Sequence, residues 1–274
     1  MKLGIFAKTF ERPTVEEVLE AVRAHNLACV QFNMLCAGLP SMPDTIEPAV
    51  IARIQSAAQS AGVELAAMSG TYNMIHPDPH KREQGLRSLR VLAGACRELG
   101  IGVITLCTGT RDPLDMWHWH PDNDSPQAWS DLLHTVEAAL HIAEQAQVTL
   151  AFEPEHANVV NSAVRARALL DAMQSPRLKV VMDGANLIDP GVDQKPVLDE
   201  AFELLGEDIA IAHCKDRTAE GGFCAAGQGI LNYEHYLNLF QAISFSGPLI
   251  LHGLDENQVA ASLEFLQSVI VSSQ

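Results

Sequence analysis

Basic residues are scarce in this chain of 274 residues: 18 lysines and arginines stand against 34 aspartates and glutamates, for a formal charge of −16 at pH 7. A charge of this sign repels the phosphodiester backbone and anionic lipid, so we expect neither nucleic acid nor a membrane surface as a partner. A small anionic substrate is still compatible with the sequence, because a few local cations can outweigh the net field.

Long apolar runs and paired cysteines are also missing. No run reaches the roughly 18 residues of a membrane helix, and the first strand-like stretch, residues 1–6, is too short for the apolar part of a signal peptide. The six cysteines form no Cys-x-x-Cys pair and lie mostly in apolar segments. That usage is typical of a reducing compartment, and we predict a cytoplasmic protein without a disulfide framework.

No linker or shift in composition divides the chain, and a hydrophobic content of 47% suffices for one large core. Short apolar segments of strand type alternate with helical patterns eight times along the sequence. A barrel of eight strand-helix units routinely uses about 250 residues as one domain. We therefore predict the α/β class, and within it a single (β/α)8 TIM barrel over residues 1–274.

Four strand-like runs in the C-terminal half each end in a side chain that can hold a metal. In chain order these residues are Glu153, Asp183, His213 and His252, and the first three follow one another at intervals of 30 residues. That interval is the length of one strand-helix unit of a barrel, whose strands all end at the same mouth. We predict that the four side chains share one coordination sphere. Carboxylate and imidazole ligands suit a divalent metal ion: Mn, Co, Fe, Zn or, less well, Mg.

Motifs at these strand ends resemble the sugar phosphate isomerase/epimerase group of the xylose-isomerase-like TIM barrels, and the resemblance covers nearly the whole chain. The motifs are Phe-Glu-Pro-Glu at 152–155, Met-Asp-Gly-Ala-Asn at 182–186, His-Cys-Lys-Asp at 213–216 and Gly-Gln-Gly at 227–229. The resemblance implies that Glu153, Asp183 and His213 bind one metal ion together with a residue of the eighth strand. It also implies that the two glutamates of the family's site move protons.

Two positions depart from the family pattern. The eighth strand presents His252 where the family usually has glutamate, and Asn186 stands where a second histidine is common. An imidazole can bind a divalent ion and exchange protons near neutral pH, so we predict His252 as the fourth ligand and, with Glu153, as a catalytic residue. Because a histidine ligand must be neutral, metal affinity is expected to fall below the pKa of this imidazole.

The longest irregular stretch, residues 113–125, is predicted to form a lid over the barrel mouth. Loops of this length in a compact domain are usually functional, and two tryptophans favour an ordered lid. Trp117 and His118 are then expected to contact the substrate. The alternative is a second metal site built from His118 and His120.

Other polar residues that follow predicted strands are candidates for binding the substrate. Arg111 and Lys215 offer cations to a phosphate or carboxylate, although Lys215 could equally pair with Asp216. Glu155 follows the first ligand strand and could instead support the metal ligands. The full predicted set of substrate-binding residues is Asn73, Arg111, Trp117, His118, Glu155, Asn186 and Lys215.

The resemblance and the ligand set together predict an isomerase or epimerase of a small sugar or sugar phosphate. The metal ion would bind the carbonyl and an adjacent hydroxyl and stabilise the enediolate, with Glu153 as the base and His252 as the opposite acid/base. One alternative is a metal-dependent dehydratase or lyase, whose first step is the same; another is a non-catalytic sugar-binding barrel, favoured by the missing glutamate. The endonuclease branch of the superfamily is disfavoured by the net charge. Homo-oligomer formation is left open.

Overall fold

The computed structural model describes residues 1–272 and shows a closed barrel of eight parallel strands with helices around it. The barrel strands are β1 Lys2–Phe6, β2 Cys29–Phe32, β3 Glu64–Ser69, β4 Val103–Cys107, β5 Thr149–Glu153, β6 Leu178–Asp183, β7 Ile209–Arg217 and β9 Pro248–Leu251. A short strand, β8 Phe223–Ala225, lies between the last two in the sequence. The ring closes because β1 pairs in parallel with both β2 and β9. The predicted (β/α)8 TIM barrel is confirmed.

One or two helices follow each barrel strand, and the last helix follows β9. They are α1 Val15–Ala24, α2 Pro48–Ala61, α3 Pro79–Leu99, α4 Pro126–Ala146, α5 Ala163–Met173, α6 Gly184–Leu187, α7 Gln194–Leu205, α8 Tyr233–Ala242 and α9 Val259–Ser272. The α1 helix starts at Thr14, whose side chain accepts a hydrogen bond from the Glu17 backbone N–H at 3.3 Å. The α2 helix ends at Gly62, which adopts the left-handed conformation that glycine reaches at little cost. Within residues 1–272, no helix is long and apolar enough to cross a membrane.

Small and branched side chains fill the inside of the barrel below its mouth. This interior cluster consists of Phe6, Cys29, Ala67, Ala151, Val181, Ile211 and Ile250. Successive side chains of a strand point to opposite faces, so the residue two positions further along also points inward. For four of these strands that residue is Glu153, Asp183, His213 or His252. The alternation of the strands therefore delivers all four predicted ligands to the inside of the mouth.

The register of the strands sets the heights of these side chains. Asp183 lies opposite His213 in the pairing of β6 with β7, and His213 lies opposite Ile250 in the pairing of β7 with β9. His252 is two residues beyond Ile250 and so lies one layer closer to solvent than His213. The residue of β7 in that upper layer is Lys215.

The β7 strand does not end at His213, as the sequence predicts, but continues to Arg217. Its extension pairs antiparallel with β8, so the chain forms a hairpin at the mouth. Asp216 fixes the returning segment, because its carboxylate accepts backbone N–H bonds from Gly227 at 3.1 Å and Leu231 at 2.9 Å. These contacts, rather than an ion pair with Lys215, occupy the Asp216 side chain.

Candidate active site

Three of the four predicted ligands meet at the mouth of the barrel. Glu153, Asp183 and His213 are buried, and each offers a ligand atom within 4.8 Å of the other two. His213 Nδ1 lies 3.2 Å from Glu153 Oε1 and 3.8 Å from Asp183 Oδ2. This Glu-Asp-His triad is an arrangement that could hold a metal ion.

Neighbouring polar side chains orient the triad. The Nε2 atom of His213 lies 2.9 Å from Gln31 Oε1, which leaves Nδ1 directed at the two carboxylates. Asn186 Nδ2 donates to Glu153 Oε1 at 2.8 Å, and the other Asp183 oxygen, Oδ1, accepts the Ala185 N–H at 3.0 Å. Gln31 is not among the residues predicted from the sequence, where its one signal is a polar side chain in the otherwise apolar strand β2.

The triad fits a divalent metal ion on two grounds. Asp183 Oδ2 is fully buried and accepts no hydrogen bond of good geometry, although the Lys215 ammonium lies 3.3 Å away, and a cation bound at such an oxygen would offset the cost of its burial. Two carboxylates and one imidazole are also a donor set that divalent ions of intermediate hardness accept.

The charged groups around the triad shift one another's pKa values in opposite directions. Burial alone would raise the pKa of Glu153, but the charges of His213 and Lys215 outweigh it and lower that pKa. Burial dominates at Asp183 and, with the nearby Glu153 charge, raises its pKa despite Lys215. The pKa of Glu155 is likewise raised by burial and by Glu153. Glu153 is therefore held in its ionised form, which is the form of a carboxyl group that can accept a proton.

A cavity of about 460 Å³ opens over the triad. Its walls include the hydroxyl and amide groups of several strand ends, which suit a polar ligand. The residues of interest that line it are Trp117, Glu153, Glu155, His213, Lys215 and His252. Met116 also lines the cavity, so the segment predicted as a lid does reach the mouth.

His252 lies beside the triad without belonging to it. Its ring centroid is 4.9 Å from that of His213 and 5.4 Å from that of Phe6. Burial, together with the charges of His213 and Lys215, holds the pKa of His252 well below its usual range. The side chain is thus a neutral imidazole in the layer above the triad, and its role as fourth ligand stays a prediction.

Four of the predicted substrate-binding residues contact other protein groups and do not line this cavity. Asn186 supports Glu153, as described above. Asn73 donates to the Thr110 carbonyl at 2.8 Å, and His118 Nδ1 lies 2.7 Å from Asp112 Oδ2. Arg111 is the fourth. For each of them a contact with substrate remains a prediction.

Arg111 holds the β4 exit to the neighbouring helix. Its side chain is 9% exposed and donates to Asp131 Oδ2 at 2.5 Å and to the Ile75 carbonyl at 3.0 Å. Replacing Arg111 with Met leaves the partly exposed Asp131 carboxylate with one strong partner fewer, so we expect the free energy of unfolding to fall by about 1.5–3 kcal/mol. Urea unfolding measures that loss. The matched control is Arg53→Met, which breaks a solvent-exposed pair with Glu16 and should cost less than about 1 kcal/mol.

A direct contact of Arg111 with the substrate would give the opposite pattern. The Met variant would then keep its stability while the KM for the substrate rises tenfold or more. If the guanidinium only holds the two protein oxygens, the KM should stay within about twofold of that of the unmodified protein.

Gln31 is expected to tune metal binding through His213. A metal-bound imidazole usually donates its other N–H to a fixed acceptor, and loss of that acceptor typically costs about 10- to 100-fold in metal affinity. Gln31→Leu should weaken binding of a divalent ion by that factor in a calorimetric titration. The control, Gln55→Leu, removes an exposed glutamine that donates to the Glu98 carbonyl and should leave the affinity unchanged. Equal affinities in the two variants would show that the ion does not bind through His213 Nδ1.

Comparison with known proteins agrees with this fold. Residues 19–269 match the sequence family described as the xylose isomerase-like TIM barrel. The L-ribulose-5-phosphate 3-epimerase UlaE of Shigella flexneri serotype 5b (strain 8401) is 24% identical over 199 residues, which cover 72% of this chain and 66% of that protein. The corresponding Escherichia coli protein (strain ATCC 8739) is 26% identical over 176 residues, covering 64% of this chain and 57% of its own length. The chain thus spans less than two thirds of the length of these relatives.

Solved structures share the barrel at lower sequence identity. The D-psicose 3-epimerase of Clostridium cellulolyticum H10 is 16% identical with a TM-score of 0.74, and the match covers 98% of this chain and 99% of that one. The probable 3-DHS dehydratase AsbF of Bacillus anthracis is 14% identical with a TM-score of 0.77, over 97% and 99% of the two chains. These likenesses show a common fold. Because the family match extends over most of the sequence, from within the first helix to the last, the chain belongs to the xylose isomerase-like TIM barrel family.

Proposed function

We propose that the protein is a divalent-metal-dependent isomerase or epimerase that acts on a small sugar or sugar phosphate through an enediolate. The observation that carries this proposal is the buried Glu-Asp-His triad at the mouth of the barrel, below a polar cavity of about 460 Å³. Cavities of roughly 300–1,000 Å³ typically hold small molecules. Relatives named as sugar epimerases, by sequence and by fold, support the same activity.

The residues of the triad would hold the ion and start the reaction. A divalent ion bound there supplies Lewis acidity to a carbonyl oxygen and its neighbouring hydroxyl. Glu153 lines the cavity and is held ionised by the neighbouring cations, so it would be the group that takes the proton from the carbon next to the carbonyl. Lys215 lines the same cavity and offers its ammonium group to the negative charge that develops on the oxygens.

Epimerisation needs a second acid/base group, because the proton must return to the opposite face of the same carbon. His252 is the residue we assign to this step, since it lines the cavity in the layer above His213; as a neutral imidazole it would first take up a proton from solvent and then pass that proton to the carbon. Glu155 lies two residues beyond Glu153 on the same strand exit and lines the cavity as well. We place it beside the reacting carbon as a hydrogen-bonding partner of the substrate.

The test is product formation from a panel of ketopentoses and ketohexoses, with and without a terminal phosphate. Protein treated with a chelator is reloaded in turn with Mn²⁺, Co²⁺, Zn²⁺, Fe²⁺ or Mg²⁺, and the products are separated by chromatography. We expect one class of sugar to be converted to its epimer or isomer, with the activity lost on chelation and restored by a divalent ion. A product that has lost water would identify the dehydratase alternative. Bound metal without any conversion across the panel would contradict the proposal and favour a sugar-binding protein.

A further inference from the structure

Lys215 lies inside the barrel against the carboxylates of the triad. Its side chain is 4% exposed, and Nζ is 3.3 Å from Asp183 Oδ2 and 3.9 Å from Glu153 Oε1. The ammonium also lies 4.1 Å from the centroid of the Phe223 ring, a cation–π contact made by the hairpin strand β8.

The aliphatic part of the Lys215 side chain packs closely against the backbone at Gly253. A β-carbon at Gly253 would lie only 3.3 Å from Lys215 Cβ and 3.4 Å from its Cδ, so the absent side chain makes room for the lysine stem. The left-handed φ of +68° at Gly253 is a second reason for glycine there. The ammonium is thus held between Phe223 on one side and the triad on the other.

Asp183 Oδ2 can pair with the Lys215 ammonium or with a divalent metal ion, but not with both at once. The ammonium partly neutralises two buried carboxylates, of which Asp183 Oδ2 has no hydrogen bond. That oxygen is also the atom the triad would give to a divalent ion. A doubly charged ion and an ammonium held together at one buried carboxylate repel each other strongly, because the effective dielectric constant there is low.

We propose that Lys215 is the internal counter-ion of the metal-free site and competes with the divalent ion for Asp183 and Glu153. This inference rests on the metal requirement of the proposed function. Metal binding would release the ammonium from Asp183 into the cavity that Lys215 already lines, where it meets the substrate oxygens. The lysine therefore lowers metal affinity while it stabilises the metal-free fold.

The test measures metal binding without any sugar, on chelator-treated protein titrated with Mn²⁺ in a calorimeter. Lys215→Met keeps the length of the side chain and removes its charge, and it should bind Mn²⁺ at least about tenfold more tightly. The matched control is Lys179→Met. It removes a lysine of strand β6 whose ammonium contacts the Asp208 carboxylate and the Glu207 carbonyl, and its affinity for Mn²⁺ should stay within twofold of that of the unmodified protein. Metal-free Lys215→Met should also melt at a lower temperature than metal-free Lys179→Met. Addition of metal should raise the melting temperature of Lys215→Met by more.

A second variant keeps the lysine in place, so the test does not depend on folding of the first. Phe223→Leu removes a ring that is 49% exposed and with it the cation–π contact, so Mn²⁺ should bind about two- to fivefold more tightly. Unchanged or weaker Mn²⁺ binding in Lys215→Met overturns the proposal, whatever the result for Phe223→Leu. Tighter binding in the variants together with inactivity toward every sugar would overturn the proposed function and leave this inference standing.

Discussion

Replacing Glu153 with Gln is expected to lower kcat by at least about 10³-fold. Two losses combine in this variant, because the amide neither takes up a proton nor supplies a negative charge to the ion, and a general base alone contributes about 10²- to 10⁴-fold. The fold should survive, since the amide oxygen can still accept the hydrogen bond from Asn186 Nδ2 that Glu153 Oε1 accepts. Steady-state kinetics with the substrate found in the sugar panel measures the effect.

The control for this variant is Glu203→Gln, the same chemical change on the exposed face of α7. Its kcat should match that of the unmodified protein. A Glu153→Gln variant that keeps more than a tenth of the original kcat would remove Glu153 from the reaction and with it the assignment of the base.

Changing His252 to Glu is expected to strengthen binding of a divalent ion by roughly 10- to 100-fold at pH 7. The structure makes His252 a neutral group in the layer above the triad, whereas a glutamate there adds a negative charge next to the ion. The variant also places on the eighth strand the carboxylate that the sequence resemblance leads us to expect there, so the proposed epimerase activity should be kept or increase. Calorimetric titration and the product assay measure the two effects.

The companion variant His252→Gln tests whether His252 binds the ion or only lies near it. Glutamine removes the imidazole without adding charge, so the affinity should fall about tenfold if His252 binds the ion, as predicted. An unchanged affinity would show that the triad alone holds the ion and would leave His252 with proton transfer. Failure of His252→Glu to strengthen binding would place residue 252 outside the reach of the ion.

The environment of His252 also changes the expected dependence of metal binding on pH. From the sequence alone, protons should compete with the metal at an imidazole with the reference pKa near 6.5. Burial and the neighbouring positive charges hold the pKa of His252 well below that value. Protons therefore compete with the metal at this residue only at a lower pH. Near neutral pH, the added negative charge is what should make the metal affinity of His252→Glu differ from that of the unmodified protein.

The sequence predicts the barrel and the triad well because both depend on periodic patterns. Apolar runs of strand type at intervals of one strand-helix unit fix the number of strands, and the residue that ends each run is placed at the mouth by the parallel arrangement. Glu153, Asp183 and His213 follow from that rule, and they meet in the structure. The height of His252 does not follow from it, since it depends on the register between β7 and β9.

Other features depend on contacts between residues far apart in the chain, which residue types do not reveal. Arg111 looks like a free cation after a strand, but Asp131 lies on the next helix and pairs with it. Gln31 looks like a polar interruption of β2, and only the closed barrel brings it to His213, 182 residues away. The continuation of β7 into a hairpin likewise depends on Asp216, which gathers backbone N–H groups from the returning loop.

The most direct test of the central claim is hydrogen exchange in deuterated water. The metal-loaded protein is incubated with the sugar it converts, and nuclear magnetic resonance follows the proton on the carbon next to the carbonyl. We expect that single proton to be replaced by deuterium. The exchange rate should fall to background after chelation, and it should be at least about 10³-fold lower in Glu153→Gln. Conversion of the sugar without any deuterium at that carbon, or exchange that persists in Glu153→Gln, would contradict proton removal by Glu153 at the triad.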